Sequence, residues 1–387
     1  MNRTSVILFS VLIIGVAGVI FWLGERNSAH PLPKPQTPKP PYAYDAEPFA
    51  VPVNPQEAVL DGTLTLPSGE GPFPVAILLS VAGPNDRDQS FAGHAGFHVL
   101  ADHLTRNGIA VARFDDRGFG QSTGDYFDAS WNDLATDALF LAAHLKDNQR
   151  IDDVRIGFIG MSQGGAVGAL SAAADKDVAF LVLLSAPGLP GEEALAQQLE
   201  KSLEVSGISG ARADQYRDLF REFMGIVKSD PQDSATIERM RIFLNGPGRA
   251  LIPPYRFMPK DTDGLIKVLL GPWYQSNVHF DPLTTYGSLH IPVLAIGGEK
   301  DFVAPPQQHL VNIERILADA PTTDVTINMM PSLNHLLQEA DTGLPTEYAA
   351  LENSISPQML EAVSTWINDR TSATLAPAEI QSLQRNE

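Results

Sequence analysis

Val154-Arg155-Ile156-Gly157-Phe158-Ile159-Gly160-Met161-Ser162-Gln163-Gly164-Gly165, continued by Ala166-Val167-Gly168-Ala169-Leu170, reads as an apolar strand, a glycine turn around one serine, and a helix of small residues. The G-x-S-x-G pattern falls on Gly160, Ser162 and Gly164. A buried strand before it and a helix after it are the context of a nucleophile elbow. The demand is steric, because a serine on so tight a turn is strained and its neighbours two residues away must lack bulk. The helix start behind it directs backbone N–H groups and a positive dipole end toward the reacting oxygen. The competing interpretation is a glycine-rich strand-to-helix turn with an idle serine.

Working outward, Pro74 to Ser80 and Ile109 to Phe114 read as buried strands, with a helix around Phe97 to Asn107 between them and another from Trp131 to Lys146 leading into the elbow. After the elbow helix, Ala179 to Ser185 is again a strand. Strand and helix alternating at this spacing predict a mostly parallel, doubly wound sheet. The alternation stops between residues 187 and 286, where helices such as Glu192 to Val205 and Arg212 to Val227 predict an insertion that caps the site. A separate helical domain is the alternative. The sheet resumes at Ile291 to Ile296 and Asp324 to Met329, and a helix over Pro357 to Arg370 closes the domain.

A serine hydroxyl is a weak nucleophile and needs a base, oriented in turn by a third group. This arrangement presents them in the order serine, acid, histidine. Of the nine histidines, His30, His94, His98, His103 and His144 precede the elbow, His279 lies in the insertion, His290 enters a strand and His309 sits in a helix. His335 follows a late strand in a loop, and Asp301 follows Ile291 to Ile296, with Glu299 a poorer substitute by position. The first oxyanion donor is the N–H of Gln163. The second is placed by position at Ala82, in the loop Val81-Ala82-Gly83-Pro84-Asn85-Asp86-Arg87-Asp88. Met161 and Trp273 are candidate substrate contacts. Asp115-Asp116-Arg117 reads as a loop lock, with Arg117 as a possible contact. His94 and His98, four apart, lack a third ligand at a convincing spacing, so neither metal nor cofactor is expected.

The 387 residues carry a formal net charge of −19, which disfavours nucleic acid as a partner. There is no cysteine, hence no disulfide, thiol nucleophile or acylated lipoprotein terminus. Val6 to Leu23 is an almost unbroken apolar run, so residues 1–24 are expected to be a membrane anchor or, alternatively, a cleaved signal, with the folded part outside the cytoplasm. Residues 25–44 contain prolines at 31, 33, 35, 38, 40 and 41 and predict a stiff spacer. The catalytic domain is expected over 45–370, followed by a polar tail at 371–387.

Gly83-Pro84-Asn85-Asp86-Arg87-Asp88, Asp115-Asp116-Arg117-Gly118, Gly160-Met161-Ser162-Gln163-Gly164-Gly165, Gly298-Glu299-Lys300-Asp301 and Leu333-Asn334-His335 together resemble bacterial α/β-hydrolase serine esterases of the EstD-like group. The resemblance spans roughly Asp45 to Arg370 and includes Tyr348 to Trp366 around Ile355-Ser356-Pro357. It implies an α/β-hydrolase fold, a carboxylesterase acting on small esters with short acyl chains, and Ser162, Asp301 and His335 as its triad. One departure stands out: such proteins usually carry His-Gly or Ser-Gly where this chain has Ser80-Val81. The alternatives are an acyltransferase, a serine peptidase or amidase with the same triad, or a membrane-tethered binding module.

Overall fold

The computed structural model describes residues 34–53, 58–252 and 258–372. The strands are β1 (Asp45–Val53), β2 (Ala58–Leu66), β3 (Phe73–Leu79), the short pair β4 (Ser90–Phe91) and β5 (His94–Ala95), β6 (Ala110–Phe114), β7 (Ile151–Met161), β8 (Leu181–Leu184), β9 (Val293–Gly298) and β10 (Val325–Met330). Eight of them form one sheet in the order β1-β2-β6-β3-β7-β8-β9-β10. β1 and β2 pair antiparallel with each other, and β2 pairs antiparallel with β6. From β6 onward every pairing is parallel. Parallel strands need crossovers, and helices α1 (Gly96–Arg106), α2 (Trp131–Leu145), α3 (Gln163–Ala174) and α10 (His309–Ala318) supply them, while α11 (Pro357–Thr371) closes the domain after the last strand.

The strands read as unbroken apolar runs because both faces of the sheet are covered. Side chains alternate between the faces. Ile77, Leu79, Phe158, Leu183 and Ala295 join one apolar cluster with α2, α3 and α10, through residues such as Leu141, Ala169 and Ile313. Ala76, Leu78, Ile159, Leu184 and Ile296 join the other with α1 and α11, through Leu100, Leu104, Val363 and Ile367. Each fully buried large side chain contributes about 1.5–3 kcal/mol. The entry into α2 is locally encoded: Ser130 accepts the N–H of Asp133, and the Asp133 carboxylate accepts the N–H of Ser130.

Between β8 and β9 the chain leaves the sheet for α4 (Gly191–Val205), α5 (Gly210–Val227), α6 (Ser234–Asn245), a 3-10 turn at Pro247–Leu251, α7 (Thr262–Leu269), α8 (Pro272–Val278) and α9 (Pro282–Tyr286). Phe223, Met240, Phe243, Leu265 and Tyr274 from these helices belong to the same apolar cluster as Phe158 and Leu183 of the sheet. The excursion therefore shares the sheet's core.

The expected spacer behaves differently over its described part. Lys34 donates to the carbonyl of Ala349 at 3.0 Å and to that of Leu351. Gln36 donates to the carbonyl of Ile355 and accepts the N–H groups of Ser354 and Ile355. Tyr42 stacks on Tyr44, which is buried. Residues 34–44 are thus strapped to the domain, because the residues between the prolines carry side chains that complete backbone hydrogen bonds of the 349–355 loop. The anticipated anchor at 1–24 and the polar tail from residue 373 lie outside the described residues. Among the described residues no helix is long and apolar enough to cross a membrane.

Candidate active site

Ser162 directly follows β7 and caps α3 with φ 53° and ψ −120°. That left-handed backbone is strained for a non-glycine residue, and its N–H donates to the carbonyl of Leu184 at 2.8 Å on the neighbouring strand. The flanking glycines are required by close backbone approach. A Cβ on Gly160 would stand 2.1 Å from the carbonyl oxygen of Gly164, and one on Gly164 would stand 2.2 Å from that of Leu79. The turn therefore forces the serine out at the carboxyl edge of the sheet, where sites in such sheets lie.

Asp301 and His335 come from the loops after β9 and β10, and the fold brings them into contact. His335 Nδ1 lies 3.0 and 2.9 Å from the two carboxylate oxygens of Asp301, both side chains being buried. Burial alone pushes the Asp301 pKa up. The charge and hydrogen bond of His335, with the N–H groups of Ala304 and Val303 at 2.8 Å, outweigh it and hold the carboxyl below its ordinary value. An ionised carboxylate only accepts, so Nδ1 carries a proton toward Asp301, which leaves Nε2 as the nitrogen turned away from the acid. The loop under His335 is ordered by Asn334, fully buried, whose Oδ1 accepts the N–H groups of Leu336 and Gln338 at 3.0 Å. No hydrogen bond joins Ser162 Oγ to His335 in this structure; such contacts are commonly long before substrate binds.

Ser162, Ala82, Gln163 and Trp273 line one cavity of about 60 Å³, with Trp131, Ser185, Val303, Ala304 and His309 among its other walls. The N–H of Ala82 meets no acceptor among the described residues, and that of Gln163, as the first residue of α3, has no intrahelical partner. Two free donors thus share a cavity with the serine. Ala82 is held in place by Asp116: its Oδ2 accepts the hydroxyl of Ser80 at 2.7 Å and the N–H of Asn85 at 2.8 Å. The Asn85 amide donates back to the carbonyls of Val81 and Gly83. Burial pushes the Asp116 pKa up to about 7 against these hydrogen bonds.

Of the anticipated substrate contacts, Trp273 lines the cavity of Ser162. Met161 does not. Side chains alternate along β7, so Met161 faces the opposite way, accepts the Gln89 amide on its sulfur at 3.1 Å and borders a separate cavity with His94 and Ile355. Arg117 is locked by Asp137 on α2 at 2.5 and 2.7 Å, both side chains buried. Arg87 likewise clasps Asp115. His94 has both ring nitrogens engaged, by Ser354 and by the carbonyl of Tyr348. Among the described residues no group of three or more His, Cys, Asp or Glu is arranged to hold a metal ion.

Sequence reasoning passed over His309 because it starts a helix. Its Nδ1 accepts the N–H of Gly188 at 3.0 Å, and Nε2 then donates to Gln197 on α4 at 2.7 Å. Burial lowers its pKa to about 4. It is a neutral pin between α10 and the helical excursion. Tyr126 was also missed; only its place after an Asp-Arg-Gly turn at the carboxyl edge hinted at it.

An eight-stranded sheet with this order, a serine at the elbow and an Asp–His pair from the loops after β9 and β10 give the chain the α/β-hydrolase fold. Comparison with known proteins agrees. A family model described as serine aminopeptidase, S33, matches residues 91–216. In sequence the chain is EstD-like: it is 24% identical over 311 residues to Esterase EstD of Thermotoga maritima, covering 80% of this chain and 65% of that relative's length. The fold is shared with the Pyrococcus furiosus esterase PF2001 at TM-score 0.51 and 16% identity, covering 86% of this chain and 92% of that one. It is shared too with the α/β hydrolase GrgF from Penicillium sp. sh18 at TM-score 0.52 and 17% identity, covering 85% and 99%.

Proposed function

We propose that this protein hydrolyses small carboxylic esters through an acyl-enzyme intermediate. The observation that carries the reading is the Asp301–His335 contact, built at the same sheet edge as a strained serine whose cavity holds two free N–H donors. Ser162 Oγ attacks the ester carbonyl while His335 Nε2 takes its proton. The N–H groups of Gln163 and Ala82 donate to the developing oxyanion, and His335 returns the proton to the departing alcohol. Water, deprotonated by the same imidazole, then releases the acid. Asp301 holds the imidazole in the required tautomer throughout. The helices between β8 and β9 act as a cap, with Trp273 as a wall of the acyl or alcohol pocket, and the small cavity favours short chains. Residues 1–24 tether the enzyme to a membrane with the domain outside the cytoplasm, a reading supported by the apolar run Val6 to Leu23.

Hydrolysis of p-nitrophenyl esters from acetate to long chains by the full chain in detergent, beside Ser162→Ala, tests this. Activity that falls with chain length and is lost in the variant is expected. A wild type as inactive as Ser162→Ala on every ester overturns it. The aminopeptidase description of the matching family model favours one second reading, amide or peptide cleavage by the same residues. Aminoacyl p-nitroanilides turned over faster than the matching esters would establish it.

A further inference from the structure

The side chain of Gln163, the residue whose N–H faces the cavity, is itself held at both ends. Its Oε1 accepts the indole N–H of Trp273 at 3.1 Å, and its Nε2 donates to the hydroxyl of Tyr126 at 2.9 Å. An indole nitrogen can only donate, so the amide orientation is determined: oxygen toward Trp273, nitrogen toward Tyr126. The N–H of Gly83 and the Trp273 indole lie close enough to the same Tyr126 oxygen to favour its ionised form, against the burial that raises its pKa. Gly83 directly follows Ala82 and has φ 92°, so the turn that presents the second donor ends against this hydroxyl.

Tyr126 is 3% exposed and borders a small cavity with Ser80, Asp116, Gln163 and Gly164. Its ring lies 6.0 Å from that of Trp273, and Phe127 packs edge-on against Trp273 at 5.3 Å. One phenol oxygen thus accepts from the residue carrying one donor and lies beside the turn that carries the other and the helix α8 that walls the cavity. A bulky apolar side chain would fill the same space but would leave the Gln163 amide without its acceptor.

We infer that Tyr126 is a positioning residue for the oxyanion hole, its hydroxyl setting the distance between the Ala82 and Gln163 donors and coupling both to the helix that carries Trp273. The inference rests on the proposed reading of those two N–H groups. Donors misplaced by a fraction of an ångström lose most of their effect on a tetrahedral intermediate and little of their effect on a loosely bound ester.

Tyr126→Phe keeps the ring and removes the oxygen. With the full chain and p-nitrophenyl acetate, the expected result is a fall in kcat of about tenfold with KM within about twofold. Affinity for phenylboronic acid, which forms a tetrahedral adduct on Ser162 and places an oxygen in the hole, should weaken by a similar factor. Gln163→Met, which cuts both side-chain bonds but keeps the backbone N–H, should reproduce the loss, and combining the two should add little. Wild-type kcat and boronate affinity in folded Tyr126→Phe overturn the inference, as does a change confined to KM. If Tyr126→Phe does not fold, Gln163→Met decides it by the same two readouts. A wild type inert toward all esters defeats the ester reading, while boronate affinity still reports on the hole.

Discussion

The carboxylate of Asp116 accepts the hydroxyl of Ser80 at 2.7 Å, across the gap between the loop after β6 and the loop after β3. It is buried, with Asp115 beside it and Tyr126 near it, and burial raises its pKa from 3.8 to about 7. A folded-state pKa above the unfolded value means the unfolded chain holds fewer protons between the two. Stability from this group is therefore complete below about pH 4 and is lost as pH rises toward and through 7. Asp116→Asn keeps an acceptor for Ser80 and removes the titration. The variant should show a flatter dependence of urea midpoint on pH between 5 and 8 than the wild type. An unchanged slope would refute the raised pKa.

Asp301→Asn tests the tautomer argument. The N–H groups of Val303 and Ala304 claim the side-chain oxygen at 2.8 Å, so the new amide presents its NH2 toward His335. The nearer contact of Nδ1, at 2.9 Å, then meets a donor, which favours the imidazole proton on Nε2, where it cannot accept from Ser162. A loss of roughly four orders of magnitude in kcat, with little change in KM, is expected in steady-state assays on p-nitrophenyl acetate.

Glycine substitutions separate demanded from incidental positions. Gly160→Ala drives a methyl into the Gly164 backbone, which cannot retreat without moving the serine, and should cost about 3 kcal/mol or more. Gly225, in α5, has open space within 4 Å of where a methyl would stand, and Gly225→Ala should stabilise by about 0.5–1 kcal/mol. Urea denaturation of the two variants measures both signs.

The Arg117–Asp137 pair is buried on both sides. Arg117→Met removes the buried guanidinium paired with Asp137 and should cost about 3–5 kcal/mol. Arg117→Met with Asp137→Leu removes both charges and should recover much of that loss. Additive losses in a double-mutant cycle followed by urea unfolding would deny the coupling.

Two kinds of information separate in this protein. The elbow was legible in a short stretch because its constraint is local: a serine at φ 53° between glycines whose carbonyl approaches leave no room for a Cβ. The parallel sheet was legible because burial on both faces makes each strand a continuous apolar run, and Asp301 and His335 stood out by their position after late strands. Their pairing, 34 residues apart, exists only because β9 and β10 are neighbours with matched register. Met161, a candidate substrate contact in the sequence, borders a separate cavity because the strand's period of two sends its side chain to the other face. Gln163 and Trp273 are 110 residues apart, and Tyr126 joins them from a third loop. No periodicity or spacing carries such a contact. Local sterics and hydrophobic patterning are written along the chain, while hydrogen bonds among loops depend on how packed elements meet, which only the tertiary structure decides.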